Sequence, residues 1–393
     1  MGKNHMIFQA LGSNYSFIDT WRILLARGRA RDSQRLSDLL ADRYGGKAVL
    51  YAKGRYALSA AVWLTTHDQR NAVAVNALTC SVVVDAIHEA GATPRYADVT
   101  ATRCHFDTKS LQRTLTAHRD IGAVIVQNTF GEMIDIRPIE KIARAHKLVL
   151  IEDLAHCLGQ TYPDGREAGT VGDLVMLSFG RDKVIDVVNG GALIVRNEHL
   201  LERLELPTRP TRRLEQLRDR IYPGITAQAR ATYRLGLGKL ILALGFRLRI
   251  LVRSAEGGIH RDQCLPHWQA RLACREFARL EKNLDHRRSR MAIYHEELGK
   301  QLLSPHGTLR AAVHAASPRR YWQQLRAHHA ELYDTWYDTP IGPARKYRQL
   351  EYPTSECPRA VQRAKHMINL PTHRAISDDK AKQLAHIIQK GTT

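Results

Sequence analysis

The sequence predicts an α/β protein that has a mainly parallel, doubly wound sheet in a large domain and a smaller C-terminal α+β domain. First, apolar runs of strand length alternate with helical segments of about ten residues between residues 49 and 197, which is typical of a parallel sheet with helices on its faces. Second, several of these runs are apolar throughout, as in strands that are buried on both sides. Third, the alternation stops after about residue 197, where basic and leucine-rich segments replace it.

Length, charge and cysteine content limit the class of protein. The chain has 393 residues, of which 44% are hydrophobic, so it can bury the cores of two or more domains. Its net charge of +20 and pI near 9.9 favour an anionic partner, such as nucleic acid, an acidic membrane surface or a phosphorylated metabolite. The six cysteines show neither zinc-finger spacing nor a dense disulfide pattern, and they indicate reduced thiols in a cytoplasmic protein. No secretory signal is expected, because the N-terminal residues lack an apolar core and a cleavage site.

The chain divides into four predicted segments. They are an N-terminal helical arm at 1–45, a large cofactor-binding domain at 46–225, a leucine-rich basic helical segment at 226–262, and a long helix with the small C-terminal domain at 263–393. The arm is predicted because apolar residues recur at helical spacing in residues 17–32 and 34–45.

Within the large domain, helices and strands are predicted to alternate in order. They are a helix at 56–66 after a KGR turn, a strand near 73–76, a helix at 81–90 that ends at Gly91, a strand near Tyr96, a helix at 111–118, a strand at 123–127, a helix at 138–147, and strands at 148–151, 174–177 and 192–195.

The leucine-rich residues 235–252 are nearly numerous enough to span a bilayer. Lys239, Arg247 and Arg249 would each cost about 2.5 to 3.5 kcal/mol near the membrane centre, so a spanning helix is not expected. Two interpretations remain: a helix that packs within a dimer, and an amphipathic helix that lies on a membrane surface.

The C-terminal part is predicted to begin with one long helix. This helix covers residues 267–298 and is followed by a strand-like run at 309–315, an aromatic segment at 331–340 and a final helix after residue 380.

Polar residues follow the apolar runs between residues 148 and 195. Glu152 and Asp153 come directly after the first run, Ser178 ends the second, and Lys183 lies five residues further on. The carboxyl ends of parallel strands point into the ligand crevice of such sheets, so these side chains are expected to meet there. The sequence therefore predicts that Asp153 and Lys183 hold pyridoxal phosphate between them.

The chemistry of this cofactor requires both residue types. A lysine forms the Schiff base, and an acid keeps the pyridine nitrogen protonated so that the ring can accept electrons from a carbanion. Once released, the lysine can act as the general base. Taken alone, Lys183 is more often a solvated surface cation, and Asp153 could equally cap a helix that follows it.

Three further features could complete such a site. His156, one helical turn after Asp153, could hydrogen-bond the phenolic oxygen of the cofactor or stack near its ring, although singly it is more often an ordinary helix histidine. Gly54 and Arg55 lie in a turn before a helix, whose free N–H groups could bind phosphate. Ser178 could add a hydroxyl to the same phosphate, or it could satisfy backbone groups instead.

The combined order of these motifs is similar to that of a known family. A glycine turn into a helix, then EDLAH, GTVGD, SFGRDK and NGG, resembles the DegT/DnrJ/StrS-type sugar aminotransferases, a branch of the fold type I pyridoxal phosphate enzymes. The resemblance extends to residues 76–99, 267–288 and 368–379, and it covers most of 49–197 and 266–389.

The resemblance implies a role for each site residue. Lys183 would be the Schiff-base lysine, Asp153 would contact the pyridine nitrogen, and His156 would lie beside the ring. Gly54, Arg55 and Ser178 would surround the phosphate. It also implies a three-layer fold, a homodimer with active sites at the interface, glutamate or glutamine as amino donor, and a keto sugar on a nucleotide as acceptor.

Two features depart from the family pattern. Cys80 stands where many members have an aromatic residue stacked on the cofactor ring. The N-x-R loop that precedes the long helix in the family is not recognisable, and the leucine-rich segment occupies that region.

Three functional hypotheses follow. The first is an aminotransferase that acts on a sugar for polysaccharide or secondary-metabolite biosynthesis, held near the inner face of a membrane by residues 235–252. The second is another pyridoxal phosphate reaction, such as dehydration, although dehydratase variants of the family have histidine in place of the lysine. The third is a basic membrane- or nucleic-acid-binding protein with a degenerate cofactor site, and nucleic acid is the less favoured partner. An NAD-binding domain is not expected, because no GxGxxG turn follows the first strands.

Overall fold

The structure is a computed structural model that describes residues 6–66, 70–332, 336–348 and 352–391. Its strands are β1 (Ile7–Phe8), β2 (Lys47–Tyr51), β3 (Ala72–Asn76), β4 (Thr79–Cys80), β5 (Thr93–Ala97), β6 (Ile121–Gln127), β7 (Val149–Asp153), β8 (Leu174–Ser178), β9 (Gly191–Val195), β10 (Arg209–Pro210), β11 (Gln263–Cys264), β12 (Arg310–His314), β13 (Ala330–Glu331), β14 (Ile341–Gly342) and β15 (Met367–Pro371).

The α-helices, numbered in the same way, surround these strands. They are α1 (Phe17–Leu24), α2 (Ala30–Tyr44), α3 (Gly54–Thr65), α4 (Ser81–Glu89), α5 (Thr108–Ala117), α6 (Ile136–Ala145), α7 (Glu198–Leu201), α8 (Arg213–Ala231), α9 (Leu237–Arg247), α10 (His267–Phe277), α11 (Leu280–Leu298), α12 (Pro318–Ala327), α13 (Ala344–Tyr347), α14 (Pro358–Lys365) and α15 (Asp378–Lys390).

A nine-stranded sheet forms the centre of the large domain. Its strand order is β10-β11-β2-β9-β8-β7-β6-β3-β5, and the strands from β8 to β5 in this order are parallel to one another. Every residue of β3, β6 and β9 is buried, because helices cover both faces of the sheet. The predicted α/β class with a mainly parallel sheet is therefore confirmed.

Strand β9 runs antiparallel to both of its neighbours, β8 and β2. A parallel return would need a crossover connection, usually through a helix. The loop at 179–190 contains no helix, so the chain turns back directly beside β8.

Two apolar clusters lie on opposite faces of the sheet and give the three-layer arrangement. One cluster includes residues from α2, α5, α6 and α10, and the other includes residues from α3 and α4. The N-terminus of α3 and the carboxyl ends of β7 and β8 are thereby held rigidly next to each other.

The N-terminal arm contains the two predicted helices and one strand that the sequence did not indicate. Ser16 and Asp19 form a capping box that starts α1. Strand β1 pairs in parallel with β13 of the C-terminal part, with Ile7 opposite Ala330. The prediction of an arm made only of helices was therefore incomplete.

The leucine-rich segment forms part of a helical hairpin. Helix α8 runs through the predicted boundary at 225/226, and the division into domains stays a prediction. Gly238 lets α9 approach α8 closely, because a Cβ atom there would lie 2.0 Å from the Ala229 carbonyl oxygen. In the part of the chain that the structure describes, no helix combines the length and the apolar character needed to cross a membrane.

The long helix predicted at 267–298 is in fact two helices, α10 and α11, which are separated at residues 278–279. Beyond them, β12 and β15 form an antiparallel pair that packs with α11, α12 and α15 around a third apolar cluster. The final helix begins at Asp378, where Ser377 provides the N-cap. Residues 333–335 of the predicted aromatic segment lie outside the described residues.

Candidate active site

Asp153 ends strand β7 and is almost fully buried. Its carboxylate accepts hydrogen bonds from Gln127 Nε2 at 3.0 Å and from the Ala155 N–H at 2.9 Å. Gln127 is itself fixed by the Thr79 hydroxyl, which donates to Gln127 Oε1 at 2.7 Å. Burial raises the pKa of Asp153, whereas the Ala155 N–H and the charge of Lys183 act in the opposite direction. The site therefore has one oriented carboxylate.

Lys183 lies in the loop between β8 and β9. Its ammonium nitrogen is 4.6 Å from the ring centroid of Trp336. Burial lowers the pKa of Lys183, Cys80 and Asp153 oppose this shift, and Arg310 adds to it. A lysine whose pKa is lowered by burial is more readily a neutral nucleophile or base. The ring of Trp336 lies against Lys183 and also stacks on His156, three residues after Asp153, so both predicted partners adjoin the same site.

His156 lies in the same site, but not on a helix. Residues 154–159 form consecutive turns, so the prediction of a helix after Asp153 was wrong. The Phe130 N–H donates to His156 Nδ1 at 3.2 Å, which leaves Nε2 to carry the proton of the neutral ring. Burial lowers the pKa of His156 well below its usual value, and the charges of Lys183 and Arg310 add to this effect. His156 is therefore neutral at pH 7.

The N-terminus of α3, the end of β8 and the start of β9 approach closely enough to require glycine. A Cβ atom on Gly54 would lie 2.8 Å from the Cβ and Oγ atoms of Ser178, and one on Gly191 would lie 2.4 Å from the Gly54 Cα atom. The first-turn N–H groups of a helix have no intrahelical acceptor and bind anions. Here they adjoin the Ser178 hydroxyl and form a compact cradle that fits a phosphate group.

Arg55 follows Gly54 in the first turn, and its guanidinium is directed away from its own helix. It donates to the Gly257 carbonyl oxygen at 3.2 Å and to that of Ser254. Burial lowers the pKa of Arg55 and also that of the neighbouring Lys53. Arg55 thus holds the loop that follows α9, and its role at the phosphate stays a prediction.

Glu152 is a buried residue of the EDLAH motif for which no role was predicted. Its carboxylate accepts hydrogen bonds from the Tyr162 hydroxyl at 2.8 Å and from the N–H groups of Gly169 and Val171 at 2.7 and 2.8 Å. It therefore fixes the GTVG loop that leads into β8. The signal was an acidic residue next to Asp153 at the end of an apolar run, because a carboxylate at a buried position needs hydrogen-bond partners.

Trp336 and Arg310 are also missing from the predicted site. The Trp336 ring stacks on His156, with ring centroids 5.0 Å apart and planes inclined by 19°, and the Arg310 guanidinium lies 3.7 Å from the Trp336 centroid. Both residues come from the C-terminal part, and only the aromatic content of 331–340 pointed to this region.

The side chains present fit pyridoxal phosphate. They supply an oriented carboxylate, a half-buried lysine, a neutral imidazole and a helix N-terminus beside a serine hydroxyl, which are the groups that this cofactor requires. Across the described ranges, no group of three or more His, Cys, Asp or Glu residues could hold a metal ion.

Comparison with known proteins agrees with this assignment. The sequence profile of the DegT/DnrJ/EryC1/StrS aminotransferase family matches residues 32–389. The chain is 29% identical over 167 residues to GDP-perosamine synthase from Caulobacter vibrioides, an alignment that covers 42% of the chain and 44% of that protein. It is 31% identical over 130 residues to UDP-4-amino-4,6-dideoxy-N-acetyl-beta-L-altrosamine transaminase from Campylobacter jejuni, which covers 33% and 34%. The chain thus spans less than half the length of these curated relatives.

Solved structures match over almost the whole chain. PseC from Helicobacter pylori, an aminotransferase involved in the biosynthesis of pseudoaminic acid, has a TM-score of 0.71 at 14% identity, with 98% of this chain and 99% of PseC covered. AtS13 from Actinomadura melliaura has a TM-score of 0.73 at 20% identity, with 99% and 100% covered. These similarities confirm the predicted fold. Because the family profile matches most of its length, this chain belongs to the DegT/DnrJ/EryC1/StrS aminotransferase family.

Proposed function

We propose that this protein is a pyridoxal phosphate-dependent aminotransferase that transfers an amino group from glutamate or glutamine to a nucleotide-linked keto sugar. The observation that carries the proposal is the geometry of the site. Asp153 ends β7, Lys183 Nζ lies over the Trp336 ring that stacks on His156, and Ser178 adjoins the N-terminus of α3. The relatives in Caulobacter and Campylobacter, which are named as enzymes of GDP- and UDP-linked sugars, support the choice of substrate class. A role in polysaccharide or secondary-metabolite biosynthesis agrees with these names.

The cofactor, when bound, supplies an electron sink for the carbanion formed at the substrate carbon. Asp153 holds a proton at the pyridine nitrogen, since its carboxylate is fixed by Gln127 and the Ala155 N–H. Lys183 moves the proton at the substrate carbon, because its lowered pKa brings it closer to neutral pH. The Nε2–H of His156 would donate to the phenolic oxygen of the cofactor, and Ser178 with the first turn of α3 would bind its phosphate.

A homodimer is part of the proposal, as the family resemblance implies. The leucine-rich face of α9 is assigned a different partner, a bilayer of anionic lipid. Leu237, Leu240, Leu244 and Leu248 recur at spacings of three and four residues and are exposed. Residues 220–255 contain arginine and lysine but no acidic residue.

The charge of this face supports the membrane interpretation over the dimer interpretation. Two copies of it related by a twofold axis would bring like charges together, which is unfavourable. An anionic membrane surface attracts the same cations by about 1 kcal/mol for each lysine or arginine near it. The chain would therefore lie at the inner face of a membrane without crossing it.

Absorption spectroscopy tests the central proposal. The purified protein is saturated with pyridoxal phosphate, dialysed and compared with Lys183→Ala and with the control Lys141→Ala, whose lysine is exposed on α6. We expect a visible cofactor band in the wild type and the control, and its loss in Lys183→Ala. Addition of glutamate or glutamine should bleach the band and release the corresponding keto acid.

Two results would contradict the proposal. Absence of the band in the wild type would show that the protein does not bind pyridoxal phosphate. A stable band that no amino donor bleaches would favour the basic binding protein with a degenerate site.

A further inference from the structure

The ring of Trp336 lies at the reacting lysine, although 153 positions of sequence separate the two residues. It stacks on His156 on one side, and Lys183 Nζ and the Arg310 guanidinium lie over its face at 4.6 and 3.7 Å from the centroid. A cation at such a distance from an indole is held by the electrostatic attraction of the ring. Trp336 is therefore in direct contact with the side chains that act on the cofactor.

Covalent geometry limits how far the cofactor can be from this ring. Any group bonded to Lys183 Nζ has its first atom only about 1.3 Å from that nitrogen. Since Nζ is 4.6 Å from the Trp336 centroid, that atom would lie within about 6 Å of the indole, whatever its direction. The indole is thus placed to contact the cofactor itself.

Two anchors fix the segment that carries Trp336. The Trp336 N–H donates to Asn369 Oδ1 at 2.8 Å. A few residues later, the Thr79 N–H donates to the Pro340 carbonyl oxygen at 2.9 Å, and β14 pairs with β4 so that Gly342 lies opposite Cys80. The segment that carries Trp336 therefore lies next to Cys80, which stands where many family members have an aromatic residue.

We propose that Trp336 is the aromatic residue of the cofactor pocket, and that it takes over the packing against the cofactor that Cys80 does not provide. The inference rests on the proposed function, because it concerns the same cofactor. The indole also keeps Lys183 in place before the cofactor binds, through the cation–π contact.

Cofactor affinity tests this proposal without any assay of turnover. The apoprotein is titrated with pyridoxal phosphate, and the visible band gives the dissociation constant of the wild type, Trp336→Phe, Trp336→Ala and the control Trp322→Ala on α12. Loss of an aromatic contact is expected to weaken binding about fivefold to tenfold in Trp336→Ala. Trp336→Phe keeps a ring and should stay within about twofold of the wild type. An unchanged affinity in a folded Trp336→Ala would overturn the proposal.

A fluorescence measurement covers the case in which Trp336→Ala does not fold. Tryptophan emission overlaps the absorption of the cofactor, so a tryptophan in contact with it is quenched when it binds. The difference between the emission of the wild type and that of Trp336→Phe is the signal of Trp336. We expect this difference to vanish upon saturation with cofactor, and its persistence would overturn the inference. If the wild type does not bind pyridoxal phosphate at all, both the proposed function and this inference are wrong. That outcome differs from persistence of the Trp336 signal, which contradicts the inference alone.

Discussion

Burial shifts the three central side chains toward their uncharged forms. It raises the pKa of Asp153 and lowers the pKa values of Lys183 and His156. The attraction between Asp153 and Lys183 opposes both of their shifts. Burial thereby moves the pKa values of Asp153 and Lys183 toward each other. Smaller differences in pKa make proton transfer within the site easier.

His373, outside the catalytic group, provides a pH-dependent test of the fold. It lies buried on the segment after β15, where its Nε2 contacts the Phe8 carbonyl oxygen at 2.9 Å. Burial lowers its pKa to about 3, and the charges of Arg287 and Arg310 contribute. In the unfolded chain the pKa returns to about 6.5, so only the unfolded state gains a proton as the pH falls below that value. His373 therefore stabilises the protein fully above pH 6.5, and this contribution is lost toward pH 3.

We predict that His373→Asn flattens the pH dependence of the free energy of unfolding between pH 6.5 and 4. The wild type should lose up to about 1.4 kcal/mol per pH unit more than the variant over this range. Urea denaturation at several pH values measures the difference. The exposed control His328→Asn should keep the wild-type slope, and parallel curves for the wild type and His373→Asn would contradict the prediction.

At the scale of elements, the carboxylate of Glu152 holds the GTVG loop, and this loop leads into β8. The GTVG loop has no regular secondary structure, and Glu152 satisfies several of its N–H groups. A buried hydrogen bond to a charged acceptor contributes more than one between neutral groups. The position of Ser178 in the phosphate cradle therefore depends on a residue that does not touch the cradle.

We predict that Glu152→Gln lowers the free energy of unfolding by about 2 to 4 kcal/mol, because an amide cannot accept all of these hydrogen bonds. Chemical denaturation checks the value. Glu167→Gln is the matched control, since Glu167 pairs with Arg43 in a partly exposed ion pair that is worth at most about 1 kcal/mol. Equal effects of the two substitutions would show that Glu152 does not hold the loop.

The sheet and half of the site were predictable because their signals are local. The residues of β7 before Glu152 are apolar, Asp153 and Ser178 end their strands, and Lys183 follows Ser178 by five residues. Trp336 has no such signal, since a two-residue pairing between β14 and β4 brings its segment to the site.

The helix predictions failed where tertiary packing outweighs local preference. The sequence between α10 and α11 contains Ala278 and Arg279, which both favour helix. Leu280 packs against Gly159, so closely that a Cβ on this glycine would lie 2.8 Å from the leucine side chain. The direction of the second helix is therefore set by this contact. The turns that carry His156 are similarly fixed by contacts with residues distant in the chain, such as Phe130.

At the scale of the whole molecule, the net charge of +20 is combined with exposed leucines on one helical hairpin. A protein with this charge is attracted to anionic surfaces in general. The exposed leucines of the hairpin could also insert into a bilayer, and this contribution depends on where they lie. Mutation of these leucines therefore distinguishes a specific membrane-binding face from nonspecific charge attraction.

We predict that the protein floats with vesicles of phosphatidylcholine and phosphatidylglycerol, and does so less with phosphatidylcholine alone. Replacing Leu240 and Leu244 by serine should reduce flotation severalfold, because it removes apolar area from the exposed face of α9. The control Leu206→Ser changes an exposed leucine elsewhere and should float like the wild type. Loss of self-association in the double variant, with no flotation of the wild type, would assign the face to a second copy of the chain.

The pairing of β1 with β13 has a consequence for the order of events during synthesis. Ile7 leaves the ribosome long before its partner Ala330, because 323 positions separate the two residues. The same is true of Phe8 and His373. Long-range pairings of this kind form late, since the intervening chain must first be organised. Strand β1 is therefore ordered late, and until β13 has been made its apolar residues lack their partner strand.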